Sequence, residues 1–208
     1  MTVECVGTER TRPVLPLHIV DEINHRVINE YAEAISALSL AARSSTPEAQ
    51  AAIGEAAARL RAHVEAHRAL VPPGPDGPVN LANYLGELCA SLSRASLAER
   101  GVRIALRTDE IRVAPDTAWR IGLILAELVR NACRHGLDGG AGAIAVRVTE
   151  HRGIILCLVA DSGRGSPDSR MGRGRRLARA IAGELGGSVD WWFSPTGSLA
   201  RLEVPKAC

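Results

Sequence analysis

From His18 to about Arg43, apolar residues recur at Val20, Ile23, Val27, Tyr31, Ile35, Leu38 and Ala42. That i, i+3, i+4 spacing predicts an amphipathic helix. Thr46-Pro47-Glu48 then restarts a helix, with a hydroxyl cap, proline at the first position and an acid in the first turn. Its apolar stripe runs through Ala49, Ile53, Ala56, Leu60, Val64 and Leu70 or Val71. The stretch VPPGPDGP (71–78) ends it, because proline removes donors and glycine favours turns. The result is a helical hairpin in which each helix has one wet and one apolar face. Two helices cover both stripes poorly. The pattern therefore predicts a homodimer whose two hairpins complete a four-helix bundle.

After residue 78 the pattern changes. Leu81–Leu97 is helical, Val102–Leu106 alternates as a strand does, and Ile111–Val113 is a short apolar triplet. Asp116–His135 predicts one long helix behind Pro115. Ala143–Val148 and Ile154–Ala160 are strands joined by a turn at His151-Arg152-Gly153. A glycine-rich segment leads into a helix ending at Leu185-Gly186-Gly187, and strands Ser188–Phe193 and Leu199–Val204 close the chain. The expected class is α+β: an arm (1–17), a hairpin (18–71), a linker (72–78) and an α/β sandwich with a mostly antiparallel sheet (79–208).

Composition narrows the function classes. The chain has 208 residues, 46% of them hydrophobic, enough for one large or two small domains. Its net charge of +2 gives no general case for nucleic acid or membrane as a partner. Aromatic residues make up 3%, too few for a platform that stacks single-stranded nucleic acid. None of the five cysteines makes a zinc spacing, and three lie in apolar patterns, so a reducing cytoplasm is expected. The N-terminal segment has no apolar run, which predicts no signal peptide, and no window reaches a membrane span.

Four stretches carry candidate chemistry. In DEINHRVINE (21–30), His25 is two residues from both Ile23 and Val27, about 160° round the helix from each. It falls on the polar stripe, one turn after Glu22. An exposed imidazole is a potential nucleophile, and a nearby acid can hold its tautomer or take its proton. It is equally an ordinary solvated histidine. In ELVRNACRHG (127–136), Glu127, Asn131 and Arg134/His135 share one helical face. Asparagine offers a neutral oxygen suited to Mg²⁺, Arg134 and His135 suit phosphate oxygens, and Glu127 suits a metal-bound water. The alternative is a plain polar stripe. In ADSGRG (160–165), an aspartate at a strand end followed by two glycines suits close approach to a base or ribose, or simply a tight turn. In MGRGRRLARAIAGELGGS (171–188), Gly172 and Gly174 open a helix beside Arg173, Arg175 and Arg176. This suits phosphate at a helix N-terminus, or a solvated loop.

Taken in this order, the motifs resemble a known family. The second domain resembles the ATP-binding domain shared by gyrase and the histidine kinases. ELVRNACRHG looks like its asparagine box, DSGRG and GRGRRLARAIAGELGG like its two glycine boxes, and TGSLARLEVP like its closing strand. EINHRVIN, VNLANYLGELCASL and PDTAWRIGLILAELVRNA resemble histidine kinases of the HWE and HisKA_2 type.

The resemblance implies a cytoplasmic kinase core in which His25 takes the γ-phosphoryl group of ATP and passes it to a response regulator receiver domain. It implies Mg²⁺ at Asn131 and the adenine amino group at Asp161. Gly163 and Gly165 would flank the base, and Gly172 and Gly174 the phosphates. Ser198 would lie near the adenine where relatives carry threonine. Residues 71–78 would act as the hinge. Relatives usually carry lysine where Ile28 stands and asparagine where Ser162 stands. The lid at 166–171 is short, which implies weak nucleotide binding. The alternative is a histidine phosphotransferase that relays phosphate between receivers without ATP.

Overall fold

The computed structural model describes residues 17–74, 77–97, 100–138, 140–163 and 172–206, with backbone alone at 17–24 and 96. Helices α1 (Leu17–Ala42) and α2 (Pro47–Arg68) pack together as a hairpin. Thr46 caps α2 from an extended backbone, its hydroxyl accepting from the Ala49 amide at 3.4 Å. Among its described side chains α1 buries none: Val27, Ile28, Tyr31, Ile35 and Leu38 are half-buried, and Leu40 is 67% exposed. Helix α2 buries Ala57, Val64 and Ala66. The expected stripe put Ala56 inward, but Ala56 is exposed and Ala57 replaces it. Three consecutive alanines leave the helix phase weakly specified, so the packing partners decide it.

Strand β1 (Val79–Asn80) leads into α3 (Leu81–Leu92), where Asn80 Oδ1 accepts from the Ala82 and Asn83 amides at 2.9 and 3.3 Å. A five-residue π-turn (Ser93–Leu97) follows, in place of the continuous helix expected to Leu97. Then come β2 (Val102–Thr108), β3 (Arg112–Val113), α4 (Pro115–Asn131), β4 (Gly142–His151), β5 (Ile154–Asp161), α5 (Arg173–Glu184), β6 (Ser188–Ser194) and β7 (Gly197–Pro205). Short β1 pairs antiparallel with β3, a pairing the hydrophobic pattern does not announce.

The main sheet runs β2-β4-β5-β7-β6. Only β2 and β4 are parallel, and the other neighbours are antiparallel. The β4–β5 hairpin turns through Arg152 and Gly153, with φ of 51° and 75°. Two left-handed residues match the strand twist. Ile155, Cys157 and Val159 of β5 are buried, and the residues between them are half-buried, so one face of the sheet meets the core. Helices α3, α4 and α5 supply the other side, through Leu85, Leu88, Ile121, Leu125 and Ala182. Burial raises the Cys157 thiol to about 12, as expected for a small core residue.

The hairpin end joins this core. Ala66 of α2 belongs to it, and the Trp119 indole donates to the Leu70 carbonyl at 2.9 Å. His67 lies 5.9 Å from Tyr31, ring to ring, and its pKa is lowered by burial, then by Arg130 and His63.

Candidate functional site

Buried Leu125, Leu128 and Val129 fix α4 against the sheet, which leaves Glu127 and Asn131 half-buried at its end. The single helix expected through His135 does not form. After Asn131 the chain widens into a π-turn, Ala132–Gly136, closed by the Leu137 amide donating to the Ala132 carbonyl at 2.9 Å. One extra residue per turn shifts every later side chain out of the α-helical phase. His135 consequently lines the cleft beside Asn131, whereas Arg134 is exposed and does not line it. The expected grouping of Glu127, Asn131, Arg134 and His135 on one face therefore holds for part of the set.

Asp161 closes β5 and is 8% exposed. Its Oδ1 accepts from the Gly163 amide at 3.0 Å and the Ser198 amide at 3.3 Å, and its Oδ2 accepts from the Ser198 hydroxyl. The end of β5 meets the π-turn with no room for side chains. A Cβ on Gly163 would stand 1.8 Å from the Gly136 carbonyl oxygen, and one on Gly136 would stand 2.3 Å from the Asp161 carboxyl carbon. At the start of α5, a Cβ on Gly174 would stand 1.6 Å from Glu127 Oε1. Glu127 also pairs with Arg130 at 2.8 Å. Gly172 caps α5 in open space, so a side chain would fit there.

The cleft between these groups is narrow. Asn131, His135, Gly136 and Ser198 form its polar wall; Val159, Trp191 and Phe193 form its apolar one. Its volume is about 20 Å³, room for a water molecule. Arg175 accounts for this. It is 9% exposed, and its guanidinium lies 4.8 Å from the Phe193 ring and 5.8 Å from the Trp191 ring. Arg179 covers Trp191 from 5.2 Å. Burial, then Arg179, lowers the Arg175 pKa. Two of the lining residues carry a buried donor without a partner: Asn131 at Nδ2 and Trp191 at Nε1.

The orphaned Asn131 amide and the buried Asp161 carboxylate have the donor and acceptor chemistry a nucleotide needs, although the cleft in this conformation has room for a water molecule. The apolar half is filled by Arg175 in this conformation. Sequence reasoning missed Trp191 and Phe193, and took Arg175 for a phosphate-facing charge where it is buried against those rings. The spacing Arg175, Ala178, Ile181, Ala182 was the available signal, since it marks the buried face of α5.

His25 is exposed on α1, as its place on the polar stripe predicts. Glu22 lies in the same helix, with its side chain outside the described residues, and Gly165 and the lid at 166–171 lie outside them altogether.

Comparison with known proteins gives two family matches in tandem. A model described as histidine kinase matches residues 22–96, and one described as histidine kinase-like ATPase domain matches residues 88–186. The first contains His25; the second contains Asn131, Asp161 and Gly174. The blue-light-activated histidine kinase 2 of Erythrobacter litoralis (strain HTCC2594) is 25% identical over 199 residues, 88% of this chain and 56% of that protein. The chain thus spans about half the length of that relative. The histidine kinase domain from the Erythrobacter litoralis EL346 blue-light activated histidine kinase superposes with a TM-score of 0.61 at 21% identity, over 86% of this chain and 96% of that one. A bacterial phosphotransferase superposes with a TM-score of 0.62 at 13% identity, over 92% and 98%. At those identities the two superpositions show a shared fold. Among the described residues no helix is long and apolar enough to cross a membrane.

Proposed function

We propose, for a chain that belongs to the histidine kinases of the HisKA_2 type, that it autophosphorylates on His25 from Mg-ATP and hands the phosphoryl group to an aspartate of a response regulator receiver domain. The observation that carries this reading is the tandem itself. A water-facing imidazole sits in the hairpin, ahead of a domain whose cleft is lined by Asn131, with its orphaned amide, and by Ser198 and Gly136, which pack against the buried Asp161. ATP would supply the phosphoryl group. The chain's part is placement and charge neutralisation, which this chemistry needs more than covalent help.

In this reading Asp161 receives the adenine amino group, held in place by Ser198 and the Gly163 amide. Asn131 offers its carbonyl oxygen to Mg²⁺ and its Nδ2 to an acceptor. Among the described residues no three His, Cys, Asp or Glu side chains converge on a metal position, which suits a Mg²⁺ that leans on nucleotide phosphates. Gly172 leaves the start of α5 open for phosphate, with His135 contributing from the cleft, and Gly174 would serve the same phosphates once the Glu127 carboxylate packed against it moves aside. Glu127 orients water or metal from beneath Gly174. Glu22 is a proton acceptor for His25; full labelling of Glu22→Gln would reject that role. The uncovered apolar face of α1 supports a homodimer through the hairpin, and the setting is cytoplasmic.

The closed cleft supports a second reading: a phosphotransferase that relays phosphate through the same His25 without ATP. The two separate cleanly. Incubation with γ-labelled ATP and Mg²⁺ is expected to mark the wild type with an acid-labile label that His25→Ala lacks. If label reaches His25 only from a phosphorylated receiver, and calorimetry detects no nucleotide, the relay is the function.

A further inference from the structure

Resting on the nucleotide reading above, we infer that Arg175 is a displaceable stopper: a purine base enters by taking the place of its guanidinium on the Phe193 and Trp191 rings. Three independent features meet at this point.

The first is the supply of flat surfaces. The whole chain has one Phe and three Trp, and this cleft takes the Phe and one of the Trp. A planar guanidinium over aromatic faces occupies the place that a stacked heterocycle would use. The apolar compartment is shaped for a flat group and already holds one.

The second is electrostatic. Arg175 lies in the first turn of the 12-residue helix α5. Unsatisfied amides make that end positive, so a cation there is disfavoured. Arg179 adds a like charge close by, and with burial it lowers the Arg175 pKa. The ring faces, the fit and the further contacts of Arg175 oppose those terms.

The third is a mismatch of hydrogen-bonding sense. Two residues that line the cleft carry buried unpartnered donors, Asn131 Nδ2 and Trp191 Nε1. A guanidinium has donors and no acceptor, so it satisfies neither. A purine ring has acceptor nitrogens on its edge and a π-face for the platform, so it suits the cleft better than the arginine does. The apparent affinity of the wild type is then reduced by the fraction of molecules in which the stopper is seated.

Adenosine is the probe, because it has no phosphate and any contact of Arg175 with phosphate drops out. Calorimetry would compare wild type with Arg175→Leu and Arg175→Ala; the second variant guards against a leucine that fills the space itself. At least one variant is expected to bind adenosine about tenfold or more tighter than wild type, with its melting temperature preserved. Equal or weaker adenosine binding in both folded variants overturns the stopper. If wild type and variants bind adenosine equally well and Mg-ATP still binds, the stopper falls and the nucleotide reading stands. If none binds adenosine or ATP, both fall and the relay takes their place.

Discussion

The hairpin and the downstream domain are built from similar amounts of helix but solve burial differently. The domain closes on itself: Leu81, Leu85, Leu88, Ile121, Ile124 and Leu125 are all fully buried between helices and sheet. Helix α1, as long as any element in the chain, buries none of its described side chains. One region is thermodynamically complete, whereas the other presents an apolar stripe that needs a further surface. The same division separates chemistry from assembly. The rigid half holds the cradle at Asp161, and the incomplete half carries His25 on the opposite, wet side of the stripe. The phosphoacceptor role proposed for His25 requires a reachable side chain, which the element with the least tertiary cover supplies.

Substitutions can break that contrast. The largest effect is expected for Leu125→Ala, which empties a fully buried position and should cost about 2–5 kcal/mol in denaturant unfolding. Leu38→Ala, on the half-buried stripe of α1, should cost well under that in a dilute monomer; equal losses would mean the hairpin core is already complete.

A second, smaller effect concerns assembly. Leu38→Glu places a charge on the stripe and should lower dimer content in sedimentation while the main melting transition stays put. Unchanged association would refute the four-helix bundle.

Third is Gly163→Ala. Its Cβ would collide with backbone at Gly136, so the β5 end must shift. Nucleotide affinity should fall, with a modest loss of stability. An undiminished calorimetric titration would remove this backbone contact from the site.

The smallest effect is titration at the joint. The His67 pKa lies below 6.5 in the folded chain, from burial first and then from Arg130 and His63. The folded state favours the neutral ring, so its contribution is full above about 6.5 and is lost as pH falls through the folded value. Melting temperatures between about pH 7.5 and 5.5 should fall more steeply for wild type than for His67→Gln; parallel slopes would show that the joint does not sense this charge.

Much of this architecture was legible in the residues, for physical reasons that also explain the gaps. Thr46-Pro47 and the β-rich run Ile154–Ala160 are local signals with local causes, and they hold. The π-turn after Asn131 has no such signal. It is set by the close packing of Gly136 against Asp161, between segments far apart in the chain. Arg175 was read with Arg173 and Arg176 as one basic run, because charge is visible in composition and burial is not. The helix phase that buries Arg175 alone among them depends on the sheet beneath. Asp161 was legible as a ligand candidate, but its support by Ser198, 37 residues away, needs the β5–β7 pairing to appear.

The most direct measurement is phosphopeptide mapping by mass spectrometry at neutral pH after incubation with Mg-ATP. A phosphoryl group on the peptide containing His25, absent when Asn131→Asp disables the cradle, is the predicted result. Phosphate on another residue, or undiminished phosphate on the Asn131→Asp protein, would contradict the account.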